Sequence, residues 1–391
     1  MPMKTLKAAA LAFAAACLLP AAAAQPPIKI GFLGEFSGPQ AGLGQDMYDG
    51  FMLGIKQGGG RLGGVPVEVL REDTQLKPDV AVQVTRKLIE REKVPIIAGI
   101  TFSNIMMSVQ PLATRREVFV IGTNAGPSPI AGEKCSPYQF VVSRQGDQQA
   151  EVLGKYATQK GYRRVMLLAP NYQAGKDVLA GFRRYFKNEV VDEIYTPLDQ
   201  FDFSAELARV SAQKPDAVFA FYPGSPGVNF VRQYRQLGLA DSTPLMSVAV
   251  VDGVSLPALR EAALGVLLGS TWGPDLATEA NRKFVAAFEA AYGRTPSEYA
   301  ATSYDAARLL DSAIGVVKGN VADKPAFMAA LKAARFESIR GDFKFGHNHF
   351  PIQDLHVFQV ARDEKGRIGL KTVETPMKAA QDAYHSGCTM R

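Results

Sequence analysis

The chain has 391 residues, 47% of them apolar and 21% charged, an ordinary globular balance at a length beyond what one hydrophobic core usually supports. The formal charge is +6, or +4 without Lys4 and Lys7, and the Lys and Arg residues are scattered rather than clustered. That argues against a nucleic-acid partner, and no run of about 18 apolar residues suggests a membrane span.

Residues 1–24 read as a cleaved secretory signal: Lys4 and Lys7, an apolar run from Ala8 to Leu19, and small residues Ala22–Ala24 before Gln25. A soluble, exported, periplasmic protein beginning near Gln25 is expected. Cys17 would leave with the leader, since the preceding Ala14–Ala16 lacks the leucine of a lipoprotein site. Cys135 and Cys388 remain as an even pair in an oxidising compartment and are expected to form one disulfide.

Strand and helix patterns then alternate. Ile28–Phe36 reads as a strand, Gln45–Gln57 as a helix with Met47, Phe51 and Ile55 at helical spacing, and Val65–Arg71 as a strand. The helix Pro78–Lys93, the apolar strand Val94–Ile100, the helix Ser103–Ala113 and the apolar strand Val118–Thr123 follow. A second series of the same kind runs from Arg164 to Val250, so two parallel sheets wrapped by helices are expected. The polar passage Val141–Gly146 between them reads as a first crossing. A strand in Gly265–Trp272 leads to Gly273-Pro274, three helices run from Thr278 to Arg335, and a hairpin at Leu355–Ala361 and Ile368–Val373 ends the regular structure. The lobes are therefore set at 25–143 with 274–350, and 144–273 with 351–391.

The strand ends carry the candidate chemistry. After Val94–Ile100 come Thr101-Phe102-Ser103-Asn104, where the Ser103 hydroxyl and the first free N–H groups of the next helix suit an anion. Ser103 as a plain N-cap is the competing reading. Strand Val118–Thr123 delivers Asn124, Ala125, Gly126, Pro127 and Ser128, a loop whose N–H groups can face the same crevice or form an ordinary turn. Asp252, at the end of an apolar strand, must meet a cation or water.

Enzyme readings fare poorly. Gly42-Leu-Gly44-Gln-Asp-Met47 lacks the third glycine of a dinucleotide fingerprint, and Gly224-Ser225-Pro226-Gly227 lacks the spacing of a nucleophile elbow. His347 and His349, with His356 further on, have no metal-ligand spacing with cysteine or acid and read as surface loop. No catalysis, cofactor or metal is expected.

Gly31–Gly38 with Gly44 and its helix, Gly99–Asn104, Gly122–Gly126 and Asp252-Gly253 resemble, in order and spacing, the type I periplasmic solute-binding proteins of ABC importers, in the leucine/isoleucine/valine-binding branch. The resemblance covers nearly the whole mature chain. It implies two Rossmann-like α/β lobes with parallel sheets joined by three crossover strands, closing over one small solute, and partners in an ABC permease and its ATPase subunits. A monomer is expected. It assigns Ser103 and Asn104 to the ligand carboxylate, the Asn124–Ser128 loop to the ligand through main-chain atoms, and Asp252 to an ammonium group. Tyr172 and Tyr222 are candidate walls from the second lobe, and Trp272 lines the cleft or packs a hinge. Leu43 and Phe102 stand where the amino-acid binders carry tyrosine and cysteine, so a differently shaped pocket is implied. The position of the cysteine pair is similar to branches that bind aromatic carboxylates, which stand as the alternative ligand class. A periplasmic sensor subunit and a Rossmann-type oxidoreductase are the rival roles.

Overall fold

The structure is a computed structural model that describes residues 26–363 and 366–390. The leader expected at residues 1–24, with Cys17, lies outside the described residues. Two sheets organise the chain. The first contains β1 (Ile28–Gly34), β2 (Arg61–Leu62), β3 (Val65–Asp73), β4 (Ile96–Gly99), β5 (Phe119–Gly122) and β6 (Gln139–Val141), in the order β2-β3-β1-β4-β5-β6, parallel except for β2. The second contains β7 (Arg164–Pro170), β8 (Glu189–Thr196), β9 (Ala217–Phe221), β10 (Leu245–Val248) and β11 (Leu267–Ser270), parallel and in the order β11-β10-β9-β7-β8. The short β12 (Lys344–Phe345) and the hairpin of β13 (Pro351–Arg362) and β14 (Ile368–Ala380) join the β11 edge antiparallel. The hairpin is thus longer than its apolar pattern suggests and extends a sheet rather than standing apart.

In the first sheet β1 sits between β3 and β4 and in the second β7 sits between β8 and β9, so each has a switch point where flanking connections diverge, beyond the carboxyl ends of β1/β4 and of β7/β9. The buried strands are near-continuous apolar runs because helices cover both faces. Residues of β1, β4, β5 and β6 share a core with Leu309, Leu310 and Ile314 of the helix Glu298–Val316. Two further cores form on opposite faces of the second sheet, one with Phe203, Tyr222 and Phe230, the other with Leu153, Phe182 and Phe219.

Local chemistry sets the element ends. Ser297 caps the helix Glu298–Val316 by accepting from the Tyr299 N–H, and Thr278 caps Glu279–Tyr292 by accepting from Asn281. Gly293, in the left-handed conformation, ends the latter. Trp272 packs at the second crossing, its indole N–H donating to Asn281 at 2.6 Å and its ring edge-on to Phe284. Cys135 and Cys388 are joined, with Cα atoms 5.7 Å apart, so the chain end is tied back to the first sheet's side.

Candidate functional site

The ends of β4, β5, β7 and β9 meet across a narrow cleft. Ile100, a β-branched residue at φ 71°, follows Gly99 and turns the chain out of β4. That turn brings Thr101, Phe102 and Ser103 to the cleft, where the helix Ser103–Thr114 begins. The loop after β5 is clamped against residues 143–146: Ser143 Oγ donates to the Asn124 carbonyl and the Gly146 N–H to the Gly126 carbonyl at 2.7 Å. A side chain at Gly126 would place Cβ 2.0 Å from the Arg144 carbonyl oxygen, so only glycine fits there.

The resulting cavity has a free volume of about 40 Å³. Leu43, Phe102, Ser103 and Ala125 wall it on one side and Arg144, Tyr172 and Phe221 on the other. Tyr172 lies parallel to Phe221 with ring centroids 6.1 Å apart and tilts against Phe102 at 6.3 Å. Burial drives the Tyr172 hydroxyl pKa far up, so it stays a neutral donor. Of the expected wall residues, Leu43, Ser103, Asn124, Ala125, Gly126 and Tyr172 are brought together here.

Four expected residues are not on this wall. Tyr222 points into the second lobe's core, packed on Phe203 at 4.6 Å and Phe230 at 5.1 Å. Strand alternation gives the cleft to Phe221 instead. Asn104 lies one residue inside the helix, its Oδ1 buried without a partner. Ser128 is held from across the cleft: its N–H donates to Asp177 Oδ2 at 2.9 Å and its hydroxyl to Oδ1 at 2.6 Å. The donors expected to meet a ligand carboxylate thus meet one supplied by the chain. Ser103 Oγ likewise accepts from the Ala174 N–H at 2.9 Å, which leaves its own O–H proton free to donate.

Asp252 faces a second, larger chamber of about 630 Å³, which shares Arg144, Gln149, Ala249 and Tyr299 with the cleft cavity. Its Oδ1 accepts from the N–H groups of Val254 and Ser255, while Oδ2 is buried without a partner. Burial raises its pKa to about 6, against the pull of the Ser255 hydrogen bonds. Trp272 lines this chamber as well as packing the crossing.

His347 is exposed in a turn, as expected of a surface loop, whereas His349 and His356 are not. His349 is buried, stacked on Phe140 at 4.1 Å, and donates through Nδ1 to the Gln139 carbonyl; burial lowers its pKa to about 4. His356 pairs with Thr375 at 2.9 Å. Among the described residues no group of three or more His, Cys, Asp or Glu side chains is placed to hold a metal ion, and no helix is long and apolar enough to cross a membrane.

Sequence reasoning missed Phe221, through the strand parity above, and Arg144. A polar passage with no helical period reads as a linker, yet residues 143–149 are almost all buried. The place of Arg144 beside the Gly122–Gly126 loop is made by the fold, 18 residues on in sequence, and left no local signal.

Residues 27–367 match the periplasmic binding protein family, and the chain belongs to that family. It is 29% identical over 380 residues to Leu/Ile/Val-binding protein homolog 6 of Brucella suis, covering 94% of this chain and 96% of that one. A solute-binding protein of an R. palustris ABC transporter, crystallised in complex with benzoate, is 30% identical with a TM-score of 0.88 over 93% of this chain and 100% of its own. An ABC transporter substrate-binding protein from Sphaerobacter thermophilus is 35% identical with a TM-score of 0.83, over 90% and 98%.

Proposed function

We infer that this periplasmic binding protein of an ABC transporter is exported through a cleaved leader, works as a monomer without catalysis, and delivers a small carboxylate-bearing solute to a permease and its ATPase. Within that class the reading favoured here is an aromatic carboxylate. The observation that carries it is the ring cluster of Phe102, Tyr172 and Phe221 on the cavity wall. Flat apolar faces reward a planar ring through offset stacking and apolar burial. Likeness to the benzoate-bound R. palustris protein supports the same choice.

The lobes proposed are 25–143 with 274–350 and 144–273 with 351–391. Solute docks first on the Ser103 and Ala125 side, where the Ser103 hydroxyl proton and the first N–H groups of the helix Ser103–Thr114 are oriented toward negative charge. The second lobe then swings in about the crossings, bringing Tyr172 and Phe221 over the ring. Calorimetry with benzoate and methyl benzoate tests this reading. The acid is expected to bind at least tenfold more tightly, because the ester cannot accept charge-assisted hydrogen bonds. Equal affinities would overturn it.

A second reading, an α-amino acid, rests on Asp252, whose Oδ2 is buried without a partner. An ammonium group there would make the Asp252→Asn variant lose about 1.5–3 kcal/mol of affinity for isoleucine. Affinity for benzoate should not fall in that variant.

A further inference from the structure

Two arginines meet at the first crossing between the sheets, Arg144 within it and Arg340 packed against it from the segment before β12, and they are treated differently. Arg340 is saturated: Nε donates to Asp305 at 2.9 Å, Nη1 to the Ser143 carbonyl and Gln353, and Nη2 to the Val142 carbonyl at 2.7 Å. Arg144 is 8% exposed, yet only its Nη2 has a partner, Asn124 Oδ1 at a long 3.3 Å. Its Nε and Nη1 are buried without acceptors.

Glu298 does not supply the missing acceptor. Its Oε2 lies 3.9 Å from Arg144 Nη1, beyond hydrogen-bond reach. Both of its oxygens are already committed, Oε1 to the N–H and hydroxyl of Thr271 and Oε2 to Gln149 Nε2 at 2.5 Å. A buried guanidinium with open donors costs stability unless an anion completes it. A fold that saturates Arg340 against the Val142 and Ser143 carbonyls, next to Arg144, shows that satisfaction was structurally within reach.

Arg144 lines both the cleft cavity and the larger chamber. The chamber lining mixes three carboxylates, Asp252, Glu261 and Glu298, with Arg260, Arg294 and Arg362, and the carboxylate it sets beside Arg144 is that of Glu298, 3.9 Å from Nη1, which repels an anion at that end. The cleft side carries Ser103, the start of its helix and the ring cluster, with the Asp177 carboxylate held by Ser128 and Gln173. We propose that Arg144 is the charge-bearing specificity residue for the ligand, its open Nε and Nη1 donors taking the ligand's carboxylate at the cleft end of the passage between the two cavities. This rests on the carboxylate reading above and adds to it the group that separates an acid from its neutral isosteres.

The test is a calorimetric matrix of benzoate against benzamide and isoleucine against isoleucinamide, on wild type, Arg144→Met and Arg144→Lys, with thermal unfolding of each protein. In wild type the acid of the bound pair is expected to exceed its amide at least tenfold. In R144M acid affinity should fall about 10–100-fold, the effect of losing charge-assisted hydrogen bonds, while amide affinity stays within threefold, so the ratio collapses. R144K, which keeps the positive charge, should retain the acid preference with weaker overall binding. Should R144M fail to fold, R144K carries the test alone, and loss of its acid preference overturns the inference. Wild type that binds an acid while R144M keeps the wild-type ratio overturns the Arg144 assignment and leaves the carboxylate reading standing. Wild type that binds neither acid overturns both.

Discussion

Asp252 shows how burial without a partner becomes a pH response. Its folded pKa of about 6 lies above the ordinary 3.8, so the folded protein holds a proton through a range where the unfolded chain has released it. Stability contributed by that proton is present at low pH and lost as pH rises from about 4 to about 6, by about 3 kcal/mol in all. Asp252→Asn cannot titrate, and its amide oxygen can keep the bonds from Val254 and Ser255. Relative to wild type the variant should therefore gain about 3 kcal/mol on going from pH 4 to pH 7, read as the difference in urea midpoints. A constant difference across that range would show that Asp252 ionises normally. The same residue marks what was legible in the sequence at this scale. A carboxylate at the end of an apolar strand announces itself, whereas Tyr222 and Phe221 are adjacent aromatics at a strand end, and nothing in the sequence says which parity faces the cleft. Arg144 was hidden because a buried, irregular passage has no period to betray it.

At the level of elements, the alternation of apolar strands and amphipathic helices was readable because both sheets are buried on two faces, which makes each strand a short continuous apolar run. Departures occur where pairing, not composition, decides the element: β2 and β12 exist as two-residue partners of β3 and β13, and the final hairpin gains length because β13 borrows the edge of β11. The chain's end is decided by a covalent link. Cys388 joins Cys135 across 253 residues of sequence. Other contacts hold the same segment: Asn348 Nδ2 donates to Asp382 at 2.9 Å and Arg184 Nη2 to the Tyr384 hydroxyl at 3.0 Å. Chain entropy for so long a loop allows at most about 5 kcal/mol of stabilisation. Cys388→Ser is expected to lower unfolding free energy by about 2–5 kcal/mol in denaturant titration, and non-reducing peptide mapping of wild type should return Cys135 and Cys388 in one linked species. Two freely alkylated thiols in unreduced protein would remove the bridge.

For the whole molecule, the question is what holds the two halves together over the cavity. Among the described residues four contacts cross the cleft: Ser128 to Asp177, Gln173 Nε2 to Ser128 Oγ at 3.3 Å, the Ala174 N–H to Ser103, and Ser225 Oγ to the Pro39 carbonyl at 2.9 Å. Asp177 is the principal one, since its carboxylate accepts both an N–H and a hydroxyl from Ser128 and is braced by Gln173 Nε2 at 2.9 Å. Such bonds exist only when the lobes meet, so they weight the closed arrangement alone and raise apparent affinity by the population they add. Hydrogen bonds to a charged group contribute about 1.5–3 kcal/mol, or roughly ten- to a hundredfold. Asp177→Ala should therefore weaken benzoate binding by that factor and increase the radius of gyration of the protein in small-angle scattering. A latch acts on closure and not on ligand charge, so benzamide should weaken by the same factor and the acid-to-amide ratio should stay at its wild-type value. If instead benzoate binding strengthens in D177A while benzamide is unmoved, Asp177 acts on the ligand as a repelling charge, and closure depends on the remaining contacts at Ser103 and Ser225.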